Sequence, residues 1–375
     1  MAIMSYLLMV FASGYGTEVS MEPGANDAVE AIHEGASDQK AFVIDTIDAV
    51  CPTEWNAFVD RSSHGCVFHR YEWLAAIENG LGYTPAHIVI TKDGNPIGIC
   101  PNFVIGMNKT PFHKLTSVYP GFGGPLISTD VPESLSLMMD TISSLCSGRT
   151  IVHEIRALDT NYLKYSTFLR NRGYRPSRRY CRFQLDLTAE YETILDGMSS
   201  SRRKGIERGR EHDYEIIETA VTDANLERFH DVHEQVMDRV DGESYPLAFF
   251  EELQELSSQI LLLSIRIDGE YAGGMLELLD DDHARIYGFI AAVPAAYFEY
   301  NASELLYDHV IRWGIENGYE TYDLGSTNAD FENGVFRFKE GFGGTMVPSL
   351  IWERGNSVIW KPVKTGRSLY DSYVA

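Results

Sequence analysis

One lysine and one strand end suggest chemistry in the C-terminal part of the chain. The sequence reads YDLGSTN from Tyr322 and GVFRFKEGFGG from Gly334, so Lys339 falls near the end of a short predicted helix. In an open α/β sheet, ligands bind at the carboxyl ends of strands, and Gly325 permits a close backbone approach there. A cation at such a corner stabilises negative charge that develops on a reacting oxygen. The alternative is a solvated lysine that offsets the helix dipole.

The predicted helix around Lys339 has an apolar side. We expect this side to face the core, and at helical spacing it consists of Phe331, Val335, Phe338 and Phe342. Arg337 and Lys339 then occupy other faces or the rim. Gly341 is expected to end the helix, because glycine commonly follows the last helical residue.

A basic cluster opens the second half of the chain. Five cations fall within residues 202–210 of an otherwise acidic sequence: Arg202, Arg203, Lys204, Arg208 and Arg210. They follow three serines, a residue type that caps helices. Guanidinium groups hold phosphate oxygens in bidentate fashion, so the cluster suits a phosphate-bearing ligand. A solvated basic face that pairs with neighbouring glutamates is the alternative.

Three other segments carry residue types that bind ligands, but none has the spacing of a known site. His64, Cys66 and His69 lack a fourth ligand, so no metal site is predicted. His230 and His233 lack the metalloprotease pattern and are expected to be exposed on a helix. The glycine-rich segment 117–128 lacks the Lys-Ser/Thr ending of a P-loop and is expected to line a cleft of the first half.

Composition indicates a soluble, acidic, globular protein. Hydrophobic residues make up 44% of the sequence and aromatic residues 12%, too many for disorder, and no apolar run is long enough to cross a membrane. The formal net charge of −23, from 54 acidic and 31 basic residues, argues against general binding of duplex DNA. Cysteines number 5 and form no CxxC pair, which favours a reducing, cytoplasmic location.

The chain repeats one α+β plan of about 150 residues. Both HIVITKDGNPIGIC and LLLSIRIDGEYAGGML read as a strand, an Asp-Gly turn and a strand, and both FLRNRGY and FRFKEGF read as a helix end before a strand. The first copy has Asn171 where the second has Lys339, so we expect the chemistry in the second copy. The predicted organisation is a flexible extension (1–40), a first domain (41–187), a second domain (188–352) and a tail (353–375).

Two of these segments resemble motifs of the FemAB-like transferases. SSSRRKGIERGREHDYEI is similar to the helix that opens their second domain, and YDLGSTN with GVFRFKEGFGG is similar to their second-domain signature. The resemblance covers about residues 50–350, with weaker landmarks in the first domain. It implies two tandem domains of the GNAT acyltransferase fold. Similar members include enzymes that move an amino acid from aminoacyl-tRNA to an amine, and BioF2-like acyltransferases.

The resemblance also implies where transfer occurs. In the tRNA-dependent relatives the lysine that matches Lys339 lies at the transfer site, and the first-domain cleft holds the acceptor precursor. We therefore predict Lys339 as the stabiliser of the oxyanion or of a donor phosphate, with Arg337 assisting and Asp323 as a candidate proton acceptor. The predicted substrate-binding residues are Arg202, Arg203, Lys204, Tyr322, Gly325 and Phe338.

The donor is left open by one departure from ordinary acetyl-CoA enzymes. Their glycine-rich pyrophosphate loop should lie between RIYGFIAAV and SELLYDHVIRWGIENGY, but here it reads PAAYFEYNA, without a glycine. Coenzyme A binding in the usual mode is therefore not expected, and no bound cofactor is predicted. The donor is an aminoacyl-tRNA, whose charged 3′ end would contact the protein, or an acyl-CoA.

The predicted function is transfer of an acyl or aminoacyl group onto an amine of a cell-surface glycan or lipid-linked precursor. One alternative is an acyl-CoA-dependent N-acyltransferase of an amino sugar. The other is a binding protein for glycan precursors that keeps the same scaffold without catalysis. Fold alone does not separate these three functions.

Overall fold

The computed structural model describes residues 33–34, 38–107, 110–158, 160–240, 242–355 and 358–364. The predicted extension 1–40 and the tail 353–375 lie largely outside these residues. The described strands are β1 (His33–Glu34), β2 (Gln39–Ile44), β3 (Thr84–Pro85), β4 (His87–Lys92), β5 (Asn95–Cys100), β6 (Phe103–Gly106), β7 (His113–Thr116), β8 (Leu126–Ile127), β9 (Thr150–Arg156), β10 (Arg175–Asp186), β11 (Tyr214–Glu218), β12 (Ile260–Ile267), β13 (Glu270–Asp280), β14 (Arg285–Ala292), β15 (Thr321–Asn328) and β16 (Thr345–Gly355).

The described helices alternate with these strands, as an α+β chain requires. They are α1 (Pro52–Asp60), α2 (Tyr71–Leu81), α3 (Val131–Leu145), α4 (Ser166–Asn171), α5 (Tyr191–Gly197), α6 (Ser200–Gly209), α7 (Asp223–Arg239), α8 (Leu247–Glu252), α9 (Ala302–Glu316) and α10 (Gly334–Glu340). In the described parts of the chain, no helix is both long enough and apolar enough to cross a lipid bilayer.

Both predicted hairpins are confirmed. Asp93 and Gly94 have φ of 52° and 80°, and Asp268 and Gly269 have φ of 51° and 82°. Positive φ at both central residues is the signature of the tight turn that suits the twist of antiparallel strands. These turns join β4 to β5 and β12 to β13.

A parallel strand pair follows each hairpin. In the first half β7 lies parallel to β9, with α3 between them in sequence. In the second half β14 lies parallel to β15, with α9 between them. The β14–β15 pairing runs only from Arg285 opposite Thr321 to Tyr287 opposite Asp323, although both strands continue further. The same sequence of connections therefore occurs twice, as the repeat predicts.

Two long strands join the halves into one sheet. Described strands form a 5-stranded sheet and an 11-stranded sheet, the latter in the order β11-β12-β13-β14-β15-β10-β16-β9-β7-β6-β3. β10 pairs with β15 of the second half, and β16 pairs with both β10 and β9 of the first half. The sheet edges that the two halves would otherwise expose are therefore paired with each other.

The core also crosses between the halves. Predicted helix α2 buries Trp73, Leu74 and Ile77, as its periodicity indicates. It packs on α8, where the rings of Trp73 and Phe249 lie 5.9 Å apart. A Cβ atom at Gly80 would lie 2.4 Å from the Phe249 Cα atom, so glycine is what lets these two helices touch.

The prediction that His230 and His233 are exposed is wrong. Both are buried on α7, because the chain around Tyr245 covers that face of the helix. The Tyr245 carbonyl lies 3.1 Å from Nε2 of His230, and the Tyr245 N–H donates to Nε2 of His233 at 3.4 Å. This contact depends on the path of the loop before α8, which periodicity within α7 does not reveal.

Candidate functional site

Helix α10 carries Lys339 and begins later than its apolar residues suggest. The Asn333 side-chain oxygen caps the helix by accepting the N–H groups of Val335 and Phe336, each at 3.0 Å. Phe331 therefore lies before the helix. The predicted core-facing set is partly wrong, since Phe331 is 73% exposed and Val335 is 53% exposed.

Phe336 sets the orientation of α10 instead. Its ring packs against Phe183 of β10 at 5.2 Å. Residues three apart share a helix face, so the side chain of Lys339 follows Phe336 into the protein. The helix ends at Glu340, as predicted, although Gly341 keeps a helical φ of −60° and the left-handed residue is Gly343, with φ of 81°.

Lys339 is buried, with 8% of its surface exposed. Its Nζ atom donates a hydrogen bond to the Ser326 carbonyl at 3.1 Å. Burial lowers the pKa of Lys339 to about 8, and the nearby acidic groups of Asp323, Glu277 and Cys181 oppose that shift. The alternative of a solvated lysine at a helix end is therefore wrong. At neutral pH the amine carries a proton but gives it up more readily than an ordinary lysine.

Gly325 brings the backbone close to this amine. Its φ is 78°, and a Cβ atom there would lie 2.4 Å from the Gly288 carbonyl oxygen and 3.4 Å from Nζ of Lys339. No side chain larger than hydrogen fits between β14, β15 and the lysine. These contacts lie within the protein, so the approach of a ligand to the backbone at Gly325 stays a prediction.

Asp323 lies beside Lys339 but has other partners. Its carboxylate accepts hydrogen bonds from Arg182, from Nε2 of Gln184 at 3.0 Å and from the Gly325 N–H at 3.0 Å. Arg182 also donates to the Ser349 hydroxyl at 3.2 Å and to the Leu158 carbonyl. These bonds already engage the oxygens of Asp323, which argues against its predicted role as a proton acceptor.

The sequence prediction missed two buried charged residues, Arg182 and Glu277. Glu277 of β13 accepts a hydrogen bond from the Tyr322 hydroxyl at 2.9 Å, and both side chains are buried. Burial raises the pKa of Glu277 well above its usual value, while the bond from Tyr322 and the charge of Lys339 act against this shift. A single glutamate inside the apolar run GMLELL was the available signal.

The remaining predicted site residues on α10 and β15 do not all converge on Lys339. Arg337 is exposed, and Phe338 is half-buried with its ring 4.3 Å from the guanidinium carbon of Arg202. Tyr322 lies inside the sheet rather than on a pocket surface. The structure therefore brings together Lys339, Gly325 and Asp323, and it leaves Arg337 outside this group, while Tyr322 contacts Glu277.

The match to a known domain family covers this region. Residues 199–339 match the model of the Acetyltransferase (GNAT) domain, from the basic helix α6 to Lys339 itself. We call this matched segment, residues 199–339, the GNAT domain. This match confirms the prediction of an acyltransferase. No curated protein matches the sequence significantly.

Solved structures extend the likeness to both halves. FemX is 12% identical, with a TM-score of 0.63 over 84% of this chain and 98% of that chain. A tandem GNAT protein from the clavulanic acid biosynthesis pathway is 10% identical, with a TM-score of 0.55 over 84% of this chain and 98% of that chain. The C-terminal domain of a proposed lysylphosphatidylglycerol synthetase from Agrobacterium fabrum is 14% identical, with a TM-score of 0.55 over 86% of this chain and 95% of that chain. The tandem GNAT-like fold and the resemblance to FemAB-like proteins are confirmed at the level of the fold.

The basic helix α6 of the GNAT domain is capped as predicted, but its basic side chains are less available to a ligand than their number suggests. The Ser199 hydroxyl accepts the N–H of Arg202 at 3.3 Å. Arg202 pairs with Glu304 at 2.5 Å, and Arg203 donates to the carbonyls of Asp196 at 2.9 Å and Met198 at 2.7 Å. Among Arg202, Arg203 and Lys204, the three predicted substrate-binding residues of this helix, Lys204 is the one whose side chain is exposed.

The start of α9 is covered by α6 in the GNAT domain. A Cβ atom at Gly205 would lie 3.1 Å from Cγ of Glu304 and 3.2 Å from the side-chain oxygen of Asn301. Glu304 lies in the first turn of α9, where its negative charge already complements the helix dipole. Contacts with α6 and the Glu304 carboxylate therefore occupy part of this helix start, and the choice between coenzyme A and tRNA donors stays a prediction.

The histidine and cysteine residues of the first half also have internal partners. Nδ1 of His69 lies 3.1 Å from Sγ of Cys66, and Nε2 lies 3.3 Å from the Gly124 carbonyl oxygen. Within the described ranges, no group of three or more His, Cys, Asp or Glu residues is arranged to hold a metal ion.

Proposed function

We propose that the GNAT domain transfers an acyl or aminoacyl group from an ester or thioester donor to an amine, with Lys339 at the transfer site. The observation that carries this proposal is the buried amine of Lys339, held 3.1 Å from the Ser326 carbonyl at the end of β15. A buried cation interacts strongly with a developing oxyanion because little water screens it.

The reaction needs no covalent enzyme intermediate. The amine nitrogen forms a bond with the donor carbonyl carbon, the bond from that carbon to the donor oxygen or sulfur breaks, and one proton moves from the nitrogen to the leaving atom. The Lys339 ammonium stabilises the oxygen that becomes negative between these steps. The lowered pKa of Lys339 also suits it to return a proton to the leaving atom.

The acceptor class that we propose is an amine on a cell-surface glycan or a lipid-linked precursor. The structural likeness to FemX and to the domain of a proposed lysylphosphatidylglycerol synthetase supports envelope chemistry, since the latter name denotes an aminoacylated lipid. Lys204, exposed on α6, is the candidate contact for a donor phosphate. Arg202 and Arg203 hold α6 in place through their internal contacts.

The test combines donor binding with transfer. Purified protein is titrated with acetyl-CoA, with charged tRNA and with uncharged tRNA, and transfer of a radiolabelled donor group is then followed in the presence of envelope precursors. We expect Lys339→Met to reduce transfer by about a hundredfold or more, as removal of an oxyanion stabiliser does, while donor binding persists. Lys361→Met, which removes an exposed lysine, is the matched control. Wild-type turnover by Lys339→Met would exclude the proposed role of this lysine.

A binding protein without catalysis is the second candidate, and one observation favours it. Lys339 is almost fully buried, so little of its side chain is exposed to a substrate. On this alternative, wild-type protein binds a precursor but shows no transfer with either donor. Saturable binding of acetyl-CoA with turnover would instead support the acyl-CoA-dependent N-acyltransferase.

A further inference from the structure

Glu277 and Lys339 lie on either side of two glycines in the GNAT domain. Glu277 of β13 is the register partner of Gly288 in β14. Gly288 in turn touches Gly325 of β15, where an added Cβ atom would lie 2.4 Å from the Gly288 carbonyl oxygen. The same Cβ atom would lie 3.4 Å from Nζ of Lys339. Glu277, Gly288 and Gly325 thus lie side by side on three neighbouring strands. Two strand spacings, about 10 Å, separate the backbone of Glu277 from that of Gly325, which lies beside the lysine amine.

Neither of these two glycines carries a side chain larger than hydrogen. Gly288 and Gly325 therefore put no side chain of their own between Glu277 and Lys339. One oxygen of Glu277 accepts from Tyr322, and the other, Oε2, is buried without a hydrogen-bond partner. A buried unpaired carboxylate oxygen is costly, and such exceptions in native proteins call for an explanation.

Resting on the transfer proposed above, we propose that Glu277 is a positioning residue for Lys339, and that its carboxylate faces the lysine amine across Gly288 and Gly325 and favours the protonated form of that amine. In that form, the Lys339 ammonium stabilises the oxyanion. Once Lys339 has given up its proton, the neutral amine accepts the proton of the attacking nitrogen and returns it to the leaving oxygen or sulfur. The Tyr322 hydroxyl fixes the direction of the carboxyl group.

Other charged groups around Lys339 are already satisfied or exposed. Asp323 of β15 is bound to Arg182 of β10, and Cys181 of β10 is a weakly acidic thiol whose pKa burial raises. On α10 itself, Arg337 and Glu340 point to solvent. Glu277 is therefore the acidic group near Lys339 that has an unused oxygen and no cationic partner of its own.

The test measures the ionisation of Lys339 without donor or acceptor. Protein labelled with ¹³C-lysine is titrated by NMR, and the Cε signal of Lys339 is assigned by its loss in Lys339→Arg. The isosteric variant Glu277→Gln is expected to weaken the proton affinity of Lys339 by about tenfold or more, because a facing negative charge is lost. Tyr322→Phe, which keeps the carboxyl but frees its direction, is expected to give a smaller shift in the same direction.

Glu340→Gln is the matched control, since it removes an exposed carboxylate on the same helix and is expected to leave the Lys339 titration unchanged. Circular dichroism and thermal unfolding show whether each variant folds. An unchanged Lys339 titration in folded Glu277→Gln overturns the proposal. Because no substrate is present, this result is independent of whether the protein proves to be a transferase.

Discussion

At the scale of single residues, Gly325 and Lys339 are constrained by the same narrow space. Gly325 has a positive φ and lies against both the Gly288 carbonyl and the lysine amine. Burial removes the charged group of Lys339 from water, which is unfavourable for folding. Stability alone therefore does not explain why glycine and lysine occur at these two positions, and we propose that both have a functional role.

Gly325→Ala is expected to destabilise the protein by about 2–4 kcal/mol, because it adds a backbone collision to the strain of positive φ. Gly94→Ala is the matched control, since Gly94 has φ of 80° with nothing within 4 Å of an added Cβ atom. We expect Gly94→Ala to cost only about 1 kcal/mol. Urea unfolding of both variants measures the difference, and equal losses would mean that crowding at Gly325 is unimportant.

Lys339→Met is expected to leave the free energy of unfolding unchanged or to raise it by about 1 kcal/mol, because the buried charge is removed while the volume is kept. Asp323 retains Arg182 as its partner in this variant. Guanidinium unfolding provides the measurement. A loss of several kcal/mol would instead assign Lys339 a structural role.

At the scale of elements, one buried ion pair connects β10 and β15 to the end of the first half. Arg182 of β10 binds Asp323 of β15 and also the Leu158 carbonyl, which follows β9. The two strands are neighbours in the long sheet. The pair therefore fixes the strand that carries Gly325 relative to the first half of the chain.

Either Arg182→Met or Asp323→Leu alone is expected to destabilise the protein by about 3–5 kcal/mol, since each leaves a buried charge without its partner. The double variant Arg182→Met/Asp323→Leu is expected to lose clearly less than the sum of the two single effects. Denaturant unfolding of this cycle provides the measurement. Additive losses would show that the two side chains act independently.

At the scale of the whole molecule, several histidines are buried in uncharged form. Burial lowers the pKa of His87 and His153 to about 3, and that of His69 and His233 to about 4. In the unfolded chain these groups bind protons below about pH 6.5. The unfolded state therefore takes up more protons as the pH falls, and stability decreases. Glu277 acts in the opposite direction, because its pKa is raised.

We expect the contribution of these histidines to the free energy of unfolding to be fully present above pH 6.5 and to fall between pH 6.5 and about 4, by about 1.4 kcal/mol per pH unit for each buried histidine. Urea unfolding at several pH values measures this slope. His153→Gln is expected to reduce the slope, whereas His212→Gln, at an exposed position, is expected to leave it unchanged. A flat profile over this range would contradict the buried neutral state of these histidines.

The sequence by itself determined the features that depend on nearby residues. Turn chemistry predicted both Asp-Gly hairpins, and apolar periodicity predicted α2. Gly325 and Lys339 indicated the candidate site because a strand end and a short helix are adjacent in the chain. The repeated order of such local signals also predicted the tandem fold. These signals are short-range, so they can be read without knowledge of packing.

Only the tertiary structure decided which side chains meet. Tyr322 binds Glu277 across 45 positions, and Arg182 binds Asp323 across 141, so neither partner was visible from local pattern. The orientation of α10 was set by Phe183 rather than by its own apolar spacing, and Arg202 and Arg203 were used in internal contacts that a count of charges does not reveal. Burial and charge pairing are properties of the folded neighbourhood, and for these residues that neighbourhood comes from distant parts of the chain.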